Sequence, residues 1–123
     1  MNCPVCKKPM IILEFHQVEL DYCPGCGGCW LDQGELELLL DISGKSIDLS
    51  DFTNAPRSKR RCPLCRKKLL RDYFPHTETE VDICPRDGGI WLDRGELVDI
   101  AEKYQNNNAV KNLREFFNSL FKG

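Results

Sequence analysis

Two pairs of cysteines, Cys3-Pro4-Val5-Cys6 and Cys23-Pro24-Gly25-Cys26, carry the clearest chemistry in this chain. Each pair holds two residues between its thiols, so a tight turn aims both sulfurs at one point. Together they read C-x2-C-x16-C-x2-C, the spacing of a four-thiolate site in which tetrahedral Zn(II) lies about 2.3 Å from each sulfur. A second set follows: Cys62, Cys65 and Cys84, with eighteen residues between the pairs and Asp87 where the fourth cysteine would stand. A carboxylate ligates Zn(II) at about 2.0–2.2 Å. Cys62, Cys65, Cys84 and Asp87 therefore make a workable set, more labile because one soft donor has become hard. The alternatives are His76 as fourth ligand, or a second unit without metal, held by Trp91 and its neighbours. Cys29 exceeds what a tetrahedral site uses. Its counterpart in the second set is Ile90, which predicts apolar packing; the alternative is a thiol that exchanges onto the metal or oxidises with Cys26, making a redox- or metal-responsive centre.

These donors sit inside an internal repeat, Cys23-Pro24-Gly25-Cys26-Gly27-Gly28-Cys29-Trp30-Leu31-Asp32-Gln33-Gly34-Glu35-Leu36 against Cys84-Pro85-Arg86-Asp87-Gly88-Gly89-Ile90-Trp91-Leu92-Asp93-Arg94-Gly95-Glu96-Leu97. The elements that must position the donors repeat with it. Ile11, Leu13, Phe15, Val18, Leu20 and Tyr22 alternate with polar residues, which predicts a β-hairpin reversing near His16 and returning the second cysteine pair beside the first. A second hairpin is expected from about Leu69 to Ile83, turning near Phe74-Pro75-His76-Thr77. The difference of two residues between the copies preserves the alternation of faces. Gly27 and Gly28 are expected to take positive φ and pass close to the sulfurs, and Trp30 to pack on its own hairpin. Asp32 and Glu35, like Asp93 and Glu96, have capping-box spacing and predict a short helix after each hairpin, the first sustained by its leucines and ended by Ser43-Gly44. Capping explains these carboxylates without catalysis. The second helix runs to Tyr104, Asn106-Asn107-Asn108 interrupts it, and Val110, Leu113, Phe116, Phe117, Leu120 and Phe121 follow at helical spacing. Folding back over the ribbons is the default for this tail; offering its apolar face to a protein partner or a second copy of the chain is the alternative.

The predicted architecture is thus a small metal-stabilised α+β protein of two tandem ribbons. Ribbon 1 spans 1–44, a linker 45–61, ribbon 2 62–105, and an amphipathic C-terminal helix 106–123. Units of this size bury too little apolar surface to fold without a metal, a disulfide or a partner. No secretory head precedes Cys3 and no run approaches the length of a membrane span. The expected location is cytoplasmic, where thiols stay reduced and hold metal. The formal net charge of −2 hides an asymmetry. Residues 1–55 hold three lysines and nine acids, whereas residues 56–123 hold fourteen Lys or Arg and ten acids. Arg57, Lys59, Arg60, Arg61, Arg66, Lys67, Lys68 and Arg71 cluster around the first turn of ribbon 2, where they are either phosphate contacts or a solvated face.

The ligand turns, the paired glycines, the tryptophan and the Leu-Asp-x-Gly-Glu-Leu cap quoted above resemble the bacterial transcription factor zinc-finger family, of the general-transcription-factor-IIB zinc-ribbon type. The likeness covers each copy from first cysteine to capped helix and excludes the linker and the tail. It implies a zinc-ribbon fold, one Zn(II) per ribbon, Cys3, Cys6, Cys23 and Cys26 as ligands, and Cys62, Cys65 and Cys84 by the same mapping; Asp87 departs from the family's cysteine. It also implies binding to nucleic acid or the transcription machinery, an inference from fold kinship. A closed four-donor site leaves no position for water or substrate, so a non-catalytic binding module is expected. The other readings are a protein-interaction adaptor without nucleic acid, a redox- or metal-responsive zinc-thiolate protein, and an enzyme with an exchangeable site at Asp87.

Overall fold

The computed structural model describes residues 1–39, 55–75, 77–103 and 107–121. Strands β1 (Ile11–Phe15) and β2 (Val18–Tyr22) pair antiparallel, with Phe15 opposite Val18. His16 and Gln17 make the turn with φ of 50° and 67°. Two left-handed residues in a two-residue loop have the twist that matches a hairpin, so the reversal falls where the alternation placed it. Strand β3 (Cys29–Leu31) returns along β2, and helix α1 (Glu35–Leu39) follows.

The second copy repeats this order. Strands β5 (Lys68–Tyr73) and β6 (Glu80–Ile83) form its hairpin, β7 (Ile90–Leu92) pairs with β6, and helix α2 (Glu96–Lys103) follows. Beyond the two hairpins the sheet holds strands that the alternation does not predict: β3 and β7, and Arg57–Arg61, the end of the predicted linker, which is strand β4, paired irregularly with β5. A run of four cations reads as solvated chain. As an edge strand it presents alternate residues to solvent, and charge on an edge discourages further pairing.

The two copies share one seven-stranded sheet in the order β1-β2-β3-β7-β6-β5-β4. They join through β3 and β7, which run antiparallel with Cys29 opposite Leu92, Trp30 opposite Trp91 and Leu31 opposite Ile90. Period-two alternation then sorts the side chains onto two faces. Val18, Leu20, Tyr22, Cys29, Leu31, Val81, Ile83, Ile90 and Leu92 form one core with Leu36, Leu97 and Ile100 from the helices. Trp30, Leu69 and Trp91 form a second core with Cys3, Cys23, Cys62 and Cys84.

Helix α3 (Asn107–Phe121) closes the first core. Leu113 is fully buried, and the Phe116 ring lies 4.9 Å from that of Phe15 and the Phe117 ring 6.4 Å from that of Tyr22. The tail therefore follows ribbon 2 in sequence but folds back onto the hairpin of ribbon 1. Asn107 and Asn108, read as an interruption, open this helix; Ser43-Gly44, Tyr104 and Asn106 lie outside the described residues. No helix among the described residues is long and apolar enough to cross a membrane.

Candidate metal centres

Each ligand pair is built as the same knuckle. The amide of its first residue donates to a carbonyl five residues on, and an amide four residues on donates back: Cys3 with Lys8 and Lys7, Cys23 with Gly28 and Gly27, Cys62 with Lys67 and Arg66, Cys84 with Gly89 and Gly88. The residue after the second ligand position is left-handed in all four, with φ of 66° at Lys7, 80° at Gly27, 66° at Arg66 and 77° at Gly88. The turn containing Asp87 thus has the backbone of a cysteine knuckle.

The hairpins bring the knuckles together in pairs. The ligand atoms of Cys3, Cys6, Cys23 and Cys26 lie within 4.8 Å of one another, and so do those of Cys62, Cys65, Cys84 and Asp87. In the first cluster Cys3 Sγ is 3.6 Å from Cys26 Sγ and Cys6 Sγ 3.2 Å from Cys23 Sγ. In the second, Cys65 Sγ is 3.6 Å from Cys84 Sγ and Cys62 Sγ 3.2 Å from Asp87 Oδ2. Four donors about 2.3 Å from a common centre stand at such separations. The other Asp87 oxygen, Oδ1, accepts from the Gly89 amide at 2.9 Å, which turns Oδ2 toward the sulfurs. These two clusters suit one zinc per ribbon. His76 lies outside the described residues.

Electrostatics around the sulfurs follow from burial and amide donors. Burial pushes the Cys3 thiol up to about 12, against the amides of Cys6 and Val5, which donate to its sulfur at 3.4 and 3.3 Å. Burial also works upward on Cys23, but donation from the backbone of Cys26, the Cys6 thiol and the Gly25 amide brings it down to about 7. In the second cluster burial raises Cys62 and Cys84, whereas the Lys67 backbone lowers Cys65. A cation displaces the remaining thiol protons, so retention of metal weakens in acid. Bound zinc would act here as a cross-link between knuckles.

Cys29 belongs to neither cluster. It is 2% exposed on the helix-covered face of β3, in the apolar core, and burial pushes its thiol up to about 12, with Glu96 and Asp93 adding to the rise. A thiol that high is a poor nucleophile at neutral pH. Ile90 occupies the same place in β7, as packing predicts.

The repeat's remaining residues serve the junction between the copies. A Cβ on Gly28 would fall 2.3 Å from Cζ2 of Trp91, and one on Gly89 2.1 Å from Cζ2 of Trp30. Each tryptophan thus lies over the glycine of the other ribbon, not merely on its own hairpin. Gly27 has the expected positive φ; Gly28 instead makes room for a ring. Each indole is tethered: Trp30 Nε1 donates to Asp32 Oδ1, and Trp91 Nε1 to Asp93 Oδ1, both at 3.1 Å. Glu35 completes its half of the capping box by accepting from the Asp32 amide at 2.7 Å, and Glu96 does the same for Asp93.

The eight basic residues divide. Arg60 Nη1 donates to Asp82 Oδ2 at 3.0 Å and to both Asp93 oxygens at 2.8 Å. Arg71 donates from Nε to Glu80 Oε2 and from Nη1 to Asp82 Oδ2, each at 2.8 Å. Asp82 is fully buried, and these two cations neutralise that internal carboxylate. Arg57, Lys59, Arg61, Arg66, Lys67 and Lys68 are exposed. The repeat itself holds the signal that separates the two groups: Asp82 pairs with Arg71, whereas the corresponding Asp21 pairs with Ile12.

Paired knuckles on three-stranded antiparallel units define a tandem zinc ribbon. A family model described as transcription factor zinc-finger, the TFIIB-type zinc ribbon, matches residues 2–42 and again 61–103, and the chain belongs to that family. The family is typically non-catalytic. No curated protein and no solved structure matches the chain.

Proposed function

We propose that the chain is a non-catalytic zinc-ribbon adaptor that binds the phosphate backbone of nucleic acid, in a transcription-related setting. Cys3, Cys6, Cys23 and Cys26 hold one zinc and Cys62, Cys65, Cys84 and Asp87 the other, both closed and structural. The observation that carries the nucleic-acid reading is the exposure of Arg57, Lys59, Arg61, Arg66, Lys67 and Lys68 around one knuckle, while Arg60 and Arg71 pair with the buried Asp82 and with Asp93 and Glu80. Contacts to phosphate release counterions, so affinity falls steeply with salt. Fluorescence anisotropy of labelled DNA and RNA with the zinc-loaded chain across salt concentrations tests this. The expected result is binding at low salt that Lys67→Gln/Lys68→Gln weakens; wild-type protein that binds neither polymer at low salt refutes it.

A second reading, a protein adaptor, is favoured by edge strand β1, where Ile11 is 46% and Ile12 68% exposed. An unpaired strand edge with apolar side chains can accept a partner's strand. The tail offers little to a partner, because Leu113, Val110, Phe117 and Leu120 pack on the chain's own core, in line with the default reading of that segment.

A further inference from the structure

The first knuckles of the two ribbons face one another across a cleft of about 400 Å³, lined from ribbon 1 by Pro4 and Lys7 and from the other side by Arg61, Pro63 and Arg66. We infer that this cleft is a seat for a backbone phosphate, gripped by both ribbons at once; the inference rests on the nucleic-acid reading and locates its centre. Among the described residues no carboxylate lines the cleft.

Backbone conformation supplies the main argument. Lys7 and Arg66 stand at equivalent positions, each directly after the second cysteine of its knuckle, and both have φ of 66°. Left-handed backbone is uncommon for residues other than glycine. The same position in the other two knuckles is filled by Gly27 and Gly88. A Cβ on Gly27 would fall 3.0 Å from Cδ of Arg94 and one on Gly88 2.9 Å from Cδ of Gln33, so those two turns need glycine; the two turns that border the cleft both carry a long cation instead. A conformational cost kept twice for one charge type at one place points to what the charge does. Hydrogen bonds hold the cations near the turns: Lys7 Nζ donates to the Pro4 carbonyl and Arg61 Nη1 to the Arg66 carbonyl, both at 3.1 Å. Guanidinium carries five N–H donors, so Arg61 keeps others for phosphate oxygens.

The competing role for these cations is to offset the negative charge of the zinc-thiolate centres, and zinc retention separates the two. The experiment compares zinc-loaded wild type, Lys7→Gln/Arg66→Gln and the strand-β4 control Arg57→Gln/Lys59→Gln. Nucleic-acid affinity is measured across salt and zinc per chain by native mass spectrometry. A phosphate seat predicts that the cleft pair loses roughly tenfold in affinity at low salt. Its plot of log K against log salt becomes shallower by about 1.5, two contacts at about 0.7–0.9 each, while both zinc ions are kept; the β4 pair loses less. Unchanged affinity and slope in the cleft pair, with loss confined to the β4 pair, overturns the seat and leaves the nucleic-acid reading standing. Loss of zinc from the cleft pair with unchanged binding assigns the cations to charge compensation and also overturns it. If wild type binds neither polymer, the nucleic-acid reading fails. Inorganic pyrophosphate titrated against the Lys7 and Arg66 amide resonances then decides the seat separately: specific shifts retain a phosphate site for a free ligand, and none removes it.

Discussion

At the scale of single residues, Asp87 is the letter on which the difference between the ribbons turns. Its knuckle has the hydrogen bonds and left-handed residue of the other three, and its Oδ2 lies 3.2 Å from Cys62 Sγ. One hard donor among three thiolates weakens a site suited to soft ligands. Asp87→Cys is therefore expected to slow zinc loss to a chelator, and Asp87→Ala to release one zinc per chain first, both read with a colorimetric zinc indicator. The junction gives a second prediction. Gly89→Ala drives a methyl into the Trp30 ring and should cost about 1–3 kcal/mol as overpacking. Combining it with Trp30→Leu should cost less than the sum of the two single changes, a coupling that urea unfolding of all four proteins measures. Glu96 gives a third. Burial raises its carboxyl to about 7, with the Asp93 amide opposing and the Asp93 charge assisting. Its folded value lies above the unfolded one, so its contribution is most favourable below the unfolded value near 4.5 and is lost as pH rises through about 7. Glu96→Gln, which keeps an acceptor for the Asp93 amide, should match wild type near pH 5 and gain on it above pH 7 in thermal unfolding of zinc-loaded protein.

At the scale of elements, hairpins, knuckles and capped helices were legible because each has a local signal: alternation, cysteine spacing, Asp-x-x-Glu. The β3–β7 pairing was not. Cys29-Trp30-Leu31 and Ile90-Trp91-Leu92 are three residues each and buried at every position, so neither period nor polarity marks them as strands. Strand β4 was hidden differently, since Arg57–Arg61 has the composition of solvated chain and becomes a strand only through its partner β5. Likewise Arg60 and Arg71 read as free cations until the sheet places Asp82 between them. Helix α3 was visible in its periodicity, but its seat on the first ribbon depends on how the ribbons join. Leu113 is fully buried, so Leu113→Ala should cost about 2–5 kcal/mol, measured by chemical denaturation. An exposed partner-binding helix would instead give a change within about 0.5 kcal/mol.

At the scale of the whole molecule, two ribbons too small to hold a large core become one sheet with helices on one face and both ligand clusters on the other. The repeat announced two copies, and the structure makes them halves of a single unit, each tryptophan seated on the other half's glycine. Ligand spacing makes the two clusters legible in the sequence; the cleft between the first knuckles is not, because Lys7 and Arg66 are far apart in sequence and border one cleft only through the β3–β7 junction. The metal content of the intact chain tests this account most directly. Native mass spectrometry of protein purified without chelator should show two zinc ions per chain, with Asp87→Ala retaining one after dialysis against a mild chelator. A wild-type chain that carries a single zinc, or an Asp87→Ala chain that keeps both through the same dialysis, would contradict it.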